Sequence, residues 1–308
     1  MAGVLLGLNI GGTTCSVSLG TSEGKLLARD SWASGASRGP DAMIADLVGH
    51  GCALLSSDAD LTAVGVAVGG PMDGIHGVVL GPPNLPGWDN VPLAARLTAA
   101  FRCPVRVEHD AAACALAEYL WGNFRSARRL AYLTCGTGFG VGIVSDGMPM
   151  YGANGMPPEI GHVRYREDGP LAFGKRGCFE AFGSMPGLSR IAAWRFPGRW
   201  GENAPAPQAL AALMRSRDAD ALVVREIHAR AVAEAAAIVI DILGADFLLL
   251  GSASRYLGEE WVELVRKHAE KRVGAWTDCQ ILPASLGDDL QDLSALAAAL
   301  RATTAPQV

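Results

Sequence analysis

Three groups of residues in this 308-residue chain have types and spacings suited to chemistry. The first is Glu108-His109-Asp110, which falls where Pro104–Val107 reads as a short strand and an alanine-rich helix follows from about 111 to 121. Ligands of α/β sheets bind outside the carboxyl ends of strands. Asp110 is therefore either a cap of that helix or a functional carboxylate. A phosphoryl acceptor hydroxyl needs a base within hydrogen-bond reach, and a carboxylate there suits that task. The second group is a glycine–threonine tip that occurs twice, as Gly11-Gly12-Thr13 and as Gly136-Thr137-Gly138. Glycine lets backbone come close to a ligand, threonine adds a hydroxyl, and two such tips suit a phosphate chain gripped from both sides. The third group is Glu159 and His162, three apart on one side of a turn, with Glu180 further on. Singly, each is more often a solvated loop charge or a structural histidine. Their joint occurrence after the second tip points to hydrogen bonding of a small polyol.

The elements that must position these groups are repeated too. Residues 5–27 and 131–151 each run as an apolar stretch, a glycine tip, a second apolar stretch, a Glu-Gly or Asp-Gly turn and a third short run. That is a strand–hairpin–strand–turn–strand unit, and each copy is expected to head one domain. Between them the pattern predicts a helix over 41–56, a buried strand over 61–68, a strand over 75–80 and a helix over 91–101. After the second copy it predicts helices at about 180–196, 208–216, 220–243 and 258–273, short strands at 247–250 and 280–282, and a last helix over 288–301. Residues 194–207 read as a surface loop, and the tail after Thr303 as frayed. Strands alternating with helices imply an α/β sheet in each half.

Composition narrows the function classes. Half the residues are apolar, 19% are charged and the net charge is −5, without a Lys/Arg cluster. Nucleic acid is not an expected partner. The N-terminus lacks a basic region before a short, Gly- and Asn-punctuated apolar stretch, which does not read as a signal peptide. The stretch Ala231–Leu250 carries Glu234, Asp241 and Asp246, which argues against a membrane span. Seven widely spaced cysteines with no Cys-x-x-Cys read as reduced thiols of a cytoplasmic protein.

Read as an ordered set, these stretches resemble the ROK family of bacterial sugar kinases and repressors, within the actin/hexokinase/Hsp70 fold. The stretches are Gly11-Gly12-Thr13, Val66 to Pro71, Asn84-Leu85-Pro86-Gly87-Trp88, Asp110-Ala111, Gly136-Thr137-Gly138, Glu159-Ile160-Gly161-His162 and Gly177-Cys178-Phe179-Glu180. The resemblance spans about Leu5 to Leu300. It implies two actin-like (ribonuclease H-like) domains, each a mixed sheet flanked by helices, with a cleft between. The first is expected over 1–120, with the helix at about 288–303 packing back on it, and the second over 121–287. It further implies a glucokinase-like enzyme that uses ATP with magnesium. Asp110 would be the general base. Gly70, Asn84, His109, Glu159, His162 and Glu180 would hold the sugar. Gly11, Gly12, Thr13, Gly136, Thr137, Gly138 and Gly251 would hold ATP. Relatives often dimerise, so a homodimer is an expectation too.

Four departures from the family pattern bear on activity. Asn9 stands where relatives carry an aspartate that helps position magnesium, a hard ion that favours carboxylates and phosphates. His109-Asp110-Ala111-Ala112 replaces the usual Asn-Asp-Ala-Asn. Many relatives hold a structural zinc with one His and three Cys. Here His162 and Cys178 remain while Leu171 and Phe173 occupy the other two positions, so no zinc is expected and apolar packing by Leu171 and Phe173 is expected to hold the loop. Pro157-Pro158 replaces Ala-Gly before Glu159. The adenosine loop is also degenerate, with Gly251 alone matching in Leu249–Ala253. These changes open an alternative, a sugar-binding ROK protein with weak or no kinase activity. A transcriptional repressor is a more distant reading, since family repressors carry an added N-terminal helix-turn-helix and this chain starts at its first strand.

Overall fold

A computed structural model describes residues 3–274 and 277–304. The tail beyond Thr304 lies outside the described residues, and Thr303 and Thr304 are still helical.

Apolar runs and the first glycine tip fold the N-terminus into β1 (Val4–Ile10), β2 (Thr14–Gly20) and β3 (Leu26–Ala33), an antiparallel unit in which Ile10 pairs with Cys15. Then come α1 (Gly39–Leu54), β4 (Leu61–Val68), the small hairpin β5 (Met72–Asp73) and β6 (Val78–Val79), α2 (Leu93–Phe101), β7 (Val105–His109) and α3 (Asp110–Trp121). The second copy of the unit supplies β8 (Arg129–Leu133), β9 (Val141–Ser145) and β10 (Met148–Pro149). A hairpin β11 (Leu171–Ala172) and β12 (Lys175–Arg176) precedes α4 (Phe179–Gly183), α5 (Met185–Arg195), α6 (Pro207–Arg215) and α7 (Ala219–Leu243). The chain continues with β13 (Phe247–Leu250), α8 (Ser252–Leu257), α9 (Glu259–Ala269), β14 (Gln280–Pro283) and α10 (Leu290–Thr304).

The strands form two five-stranded mixed sheets, ordered β3-β2-β1-β4-β7 and β10-β9-β8-β13-β14. The described residues group into two compact units. One comprises residues up to 126 with 142–158 and the chain from 285 onward; the other comprises 127–141 and 159–284.

In the first unit, β4 sorts its side chains by the two-residue period of a strand. Val64, Val66 and Val68 join Leu6, Leu8, Met43, Leu47, Leu93 and Leu97 in one apolar core. The other face carries Gly65 and Ala67, and α10 lies directly on it. A Cβ on Gly65 would come within 2.1 Å of the Ala295 carbonyl oxygen and the Ala299 nitrogen. Only glycine allows so close an approach of helix to sheet. In the second unit, β13 pairs in parallel with both β8 and β14. The long α7 buries His228, whose Nδ1 accepts the Trp261 indole N–H at 3.1 Å.

Several sequence expectations are corrected in detail. The helix expected over 180–196 breaks at Ser184, whose hydroxyl accepts the Gly187 N–H at 3.2 Å and caps α5, with Pro186 in its first turn. The helix expected over 258–273 is α9, which begins after Gly258 at φ 77° and ends at Ala269, and a short helix not expected from the sequence, α8, precedes that glycine. The strand expected over 75–80 shrinks to β6 within the β5–β6 hairpin. Within the expected surface loop, Trp200 is buried.

Candidate active site

The parallel register sets the first group of candidate residues. Ile10 pairs with Val68 and Val68 with His109, so the carboxyl ends of β1, β4 and β7 lie side by side. From that one edge issue the Gly11–Thr13 tip, Gly69-Gly70 and His109-Asp110. Asp110 is the first residue of α3, and its cap is His109 in extended conformation. Asp110 is thus not the capping residue. Its side chain is 51% exposed, Oδ1 accepts the Ala111 N–H at 2.6 Å, and the His109 Nε2 lies 3.4 Å from the same oxygen. His109 is 7% exposed and, among the described residues, its Nδ1 has no hydrogen-bond partner. A Cβ on Gly69 would stand 3.8 Å from Asp110 Oδ2, which places that free oxygen beside the Gly69-Gly70 turn. Asn84 packs on the first tip, since a Cβ on Gly12 would meet the Asn84 Cβ and carbonyl oxygen at 2.8 Å. Asn9 donates through Nδ2 to the Gln291 carbonyl at 2.8 Å.

The second group of candidate residues sits at the ends of β8 and β13. Thr134 closes the second tip, with its N–H donating to the Gly140 carbonyl and its Oγ1 accepting the Gly140 N–H at 2.9 Å. Gly251 follows β13, and its N–H donates to the Leu133 carbonyl at 2.8 Å. A Cβ there would lie 2.3 Å from the Thr134 carbonyl, so packing alone demands that glycine. Gly136 and Gly138 differ. A Cβ on either meets protein atoms no nearer than 3.4 and 3.6 Å, so the fold has room for a side chain there. Glycine at these two positions leaves that space open. Among the described residues, the N–H groups of Gly12, Thr13, Thr137 and Gly138 have no acceptor. Unpaired backbone donors at a turn are the groups that receive phosphate oxygens. Each tip, taken by itself, therefore has donors that fit phosphate oxygens.

Glu180, in α4, is 5% exposed, and its Oε2 accepts the Phe139 N–H beside the second tip. Burial pushes its carboxyl above the ordinary value, against the opposing pull of the Phe139 N–H and Arg190. Glu159 and His162 flank a single helical turn, with Oε2 and Nε2 3.9 Å apart. A Cβ on Gly161 would come within 2.2 Å of the Phe139 carbonyl, so this turn too packs on the end of the second tip. Glu159, His162, Glu180, Gly136, Thr137, Gly138 and Gly251 are thus gathered in one unit. Asn84, His109, Asp110, Gly70, Gly11, Gly12 and Thr13 are gathered in the other.

The expected apolar packing of Leu171 and Phe173 is corrected. Both are half exposed, at 53% and 51%. Phe173 lies flat on the His162 ring with centroids 4.4 Å apart. The loop is tied instead by the β11–β12 ladder and by Arg176 Nη1 donating to the Gly169 carbonyl at 2.9 Å. The Cys178 thiol is buried and faces the carbonyls of Ala172 and Lys175 at 3.7 and 3.9 Å. Among the described residues no group of three or more His, Cys, Asp or Glu could hold a metal ion, and no helix is long and apolar enough to cross a membrane.

Sequence reasoning missed one buried network beside Asp110. Glu108 is fully buried, and Tyr151, Arg106 and Arg301 all donate to it. The one signal available was a glutamate directly after the predicted strand Pro104–Val107.

Two α/β units with glycine-tipped hairpins at their strand ends define an actin-like sugar-kinase fold. The chain belongs to the ROK family, whose pattern matches residues 5–301. It is 32% identical over 270 residues to a glucokinase of Thermotoga maritima, covering 83% of each chain. Among solved structures, it is similar to a ROK hexokinase from Thermus thermophilus, with a TM-score of 0.85 and 26% identity over 98% of this chain and 99% of that one. It is also similar to a ROK glucokinase from Streptomyces griseus in complex with glucose and AMPPNP. That TM-score is 0.80, with 26% identity over 97% of this chain and 100% of that one.

Proposed function

We propose that this protein phosphorylates a hexose or hexose derivative with ATP, and that Asp110 is the general base. The observation that carries this reading is the half-exposed Asp110 carboxylate, set at the same sheet edge as a glycine tip with unpaired N–H groups. The glucokinase and hexokinase relatives support it.

When bound, ATP supplies the phosphoryl group and magnesium offsets its charge. Gly12, Thr13, Thr137 and Gly138 would present N–H groups to the phosphates, and Asn9 would offer Oδ1 toward the metal. Glu159, His162, Glu180, Asn84, His109 and the Gly70 backbone would fix the sugar hydroxyls. Asp110 would take the proton from the acceptor hydroxyl as it attacks. Such transfer depends mostly on positioning and charge stabilisation, so a carboxylate at a strand-to-helix turn suits it.

Asn9 favours a second reading, a sugar-binding protein with weak or no kinase activity. Its amide nitrogen is committed to the Gln291 carbonyl, and it brings no charge to a metal. The test is ADP release from Mg-ATP across a panel of hexoses, N-acetylated hexosamines included. Release with at least one sugar supports the kinase. Sugar binding by calorimetry without release from any supports the second reading.

A further inference from the structure

We propose that Tyr151 is a positioning residue, held by Glu108 and Arg301, that sets the strand-to-helix turn carrying Asp110. The inference rests on the reading of Asp110 as the base. β7 is the edge strand of its sheet. The N–H of His109, its last residue, donates to the phenol oxygen of Tyr151 at 3.1 Å. The phenol O–H donates in turn to Glu108 Oε2. The other oxygen of Glu108 accepts Arg106 Nε at 2.9 Å and Arg301 Nη1 from α10. One fully buried carboxylate thus receives a phenol and two guanidiniums, the arrangement that lets a charge be buried at all.

Each part restricts Tyr151. Burial, with the Glu108 charge adding, pushes its phenol well above the ordinary value, so it keeps the proton it gives to Glu108. Its ring lies against Gly74, where a Cβ would come within 2.5 Å of a ring carbon. The phenol oxygen is therefore a fixed acceptor. The residue it holds, His109, is extended at φ −60° and ψ 139°, and Asp110 after it is already helical. The change of torsion between the two aims the carboxylate. Fixing the His109 nitrogen fixes where α3 starts, and a shift of about 1 Å in a reacting group can cost about a hundredfold in rate. Tyr151 lies 42 residues from His109 and Arg301 lies 193 from Glu108, so the loop after β10 and the last helix both steady this one turn.

The test compares Tyr151→Phe, Arg301→Met and Asp110→Asn with the wild-type chain, measuring kcat, both KM values and the thermal midpoint with the best sugar of the panel. We expect Tyr151→Phe to lower kcat about tenfold while the KM values for sugar and ATP stay within about twofold. Arg301→Met, which loosens Glu108, should lower kcat several-fold in the same way, and it carries the test if Tyr151→Phe does not fold. A purely structural role would lower the thermal midpoint and leave kcat alone. A kcat within about twofold of wild type, with Asp110→Asn inactive, overturns the inference. Turnover unchanged in Asp110→Asn, or absent from wild type with every sugar, overturns the reading of Asp110 and this inference with it.

Discussion

The Asn9 amide nitrogen and the Gln291 carbonyl, 282 residues apart, are joined at 2.8 Å, so the end of β1 is tied to the first turn of α10. An aspartate at position 9 would turn a carboxylate oxygen toward that carbonyl. Asn9→Asp should therefore lose about 1–2 kcal/mol of stability, as expected for a hydrogen bond replaced by two facing acceptors. On the proposed role of position 9 beside the magnesium ion, the added charge should also raise ADP release. Thermal unfolding and the kinase assay on one preparation check both. Equal stability would show that the amide bond contributes nothing.

His228 gives the protein an acid limit. It is fully buried against Trp261, and desolvation pushes its imidazole down to about 4 from 6.5. The unfolded chain then binds a proton that the folded chain refuses. The stability is whole above about 6.5 and is lost as pH falls through the window to about 4. A shift of this size corresponds to about 3 kcal/mol. Urea unfolding across pH 4–7 should show that slope, and His228→Gln should flatten it.

Glu180 works in the opposite sense. Its folded pKa is raised, so its contribution is complete below the ordinary 4.5 and is lost as pH rises through the folded value. Near neutrality Glu180→Gln should be at least as stable as wild type, because glutamine can still accept the Phe139 N–H. Sugar affinity should nevertheless fall about tenfold or more if Glu180 holds hydroxyls. Calorimetry with the preferred sugar separates the two effects. Unchanged affinity would remove Glu180 from the sugar site.

Phe173 holds the His162 ring by stacking while being half exposed itself. Phe173→Ala should thus raise the sugar KM several-fold with a thermal midpoint within about 2 °C of wild type, since exposed positions contribute little to stability. Metal analysis of the same preparation should give zinc well below one per chain. Stoichiometric zinc would contradict the two-ligand reading of His162 and Cys178.

How much of this was legible depended on whether the signal was local. Both glycine-tipped units could be read because apolar runs and a Gly-rich turn lie within some 20 residues of each other. The strand Leu61–Val68 followed from its largely apolar run ending at Gly69-Gly70-Pro71. The break at Ser184 was masked by apolar residues that continue a helical period through it, although Ser-Met-Pro is a start signal. β11 and β12 have only two residues each, too few to show a period. The Glu108–Tyr151–Arg301 network could not be found locally, because only the folded sheet brings its three side chains together. The openness of Gly136 and Gly138, against the packing that demands Gly251, was equally invisible in a sequence where all three are glycines.

The central claim is that the Asp110 carboxylate takes a proton from a bound sugar. The most direct measurement pairs ADP release with calorimetric sugar binding in Asp110→Asn. Turnover lower by about a hundredfold or more, with sugar affinity within a few-fold of wild type, is the predicted result. Turnover near that of wild type would contradict it.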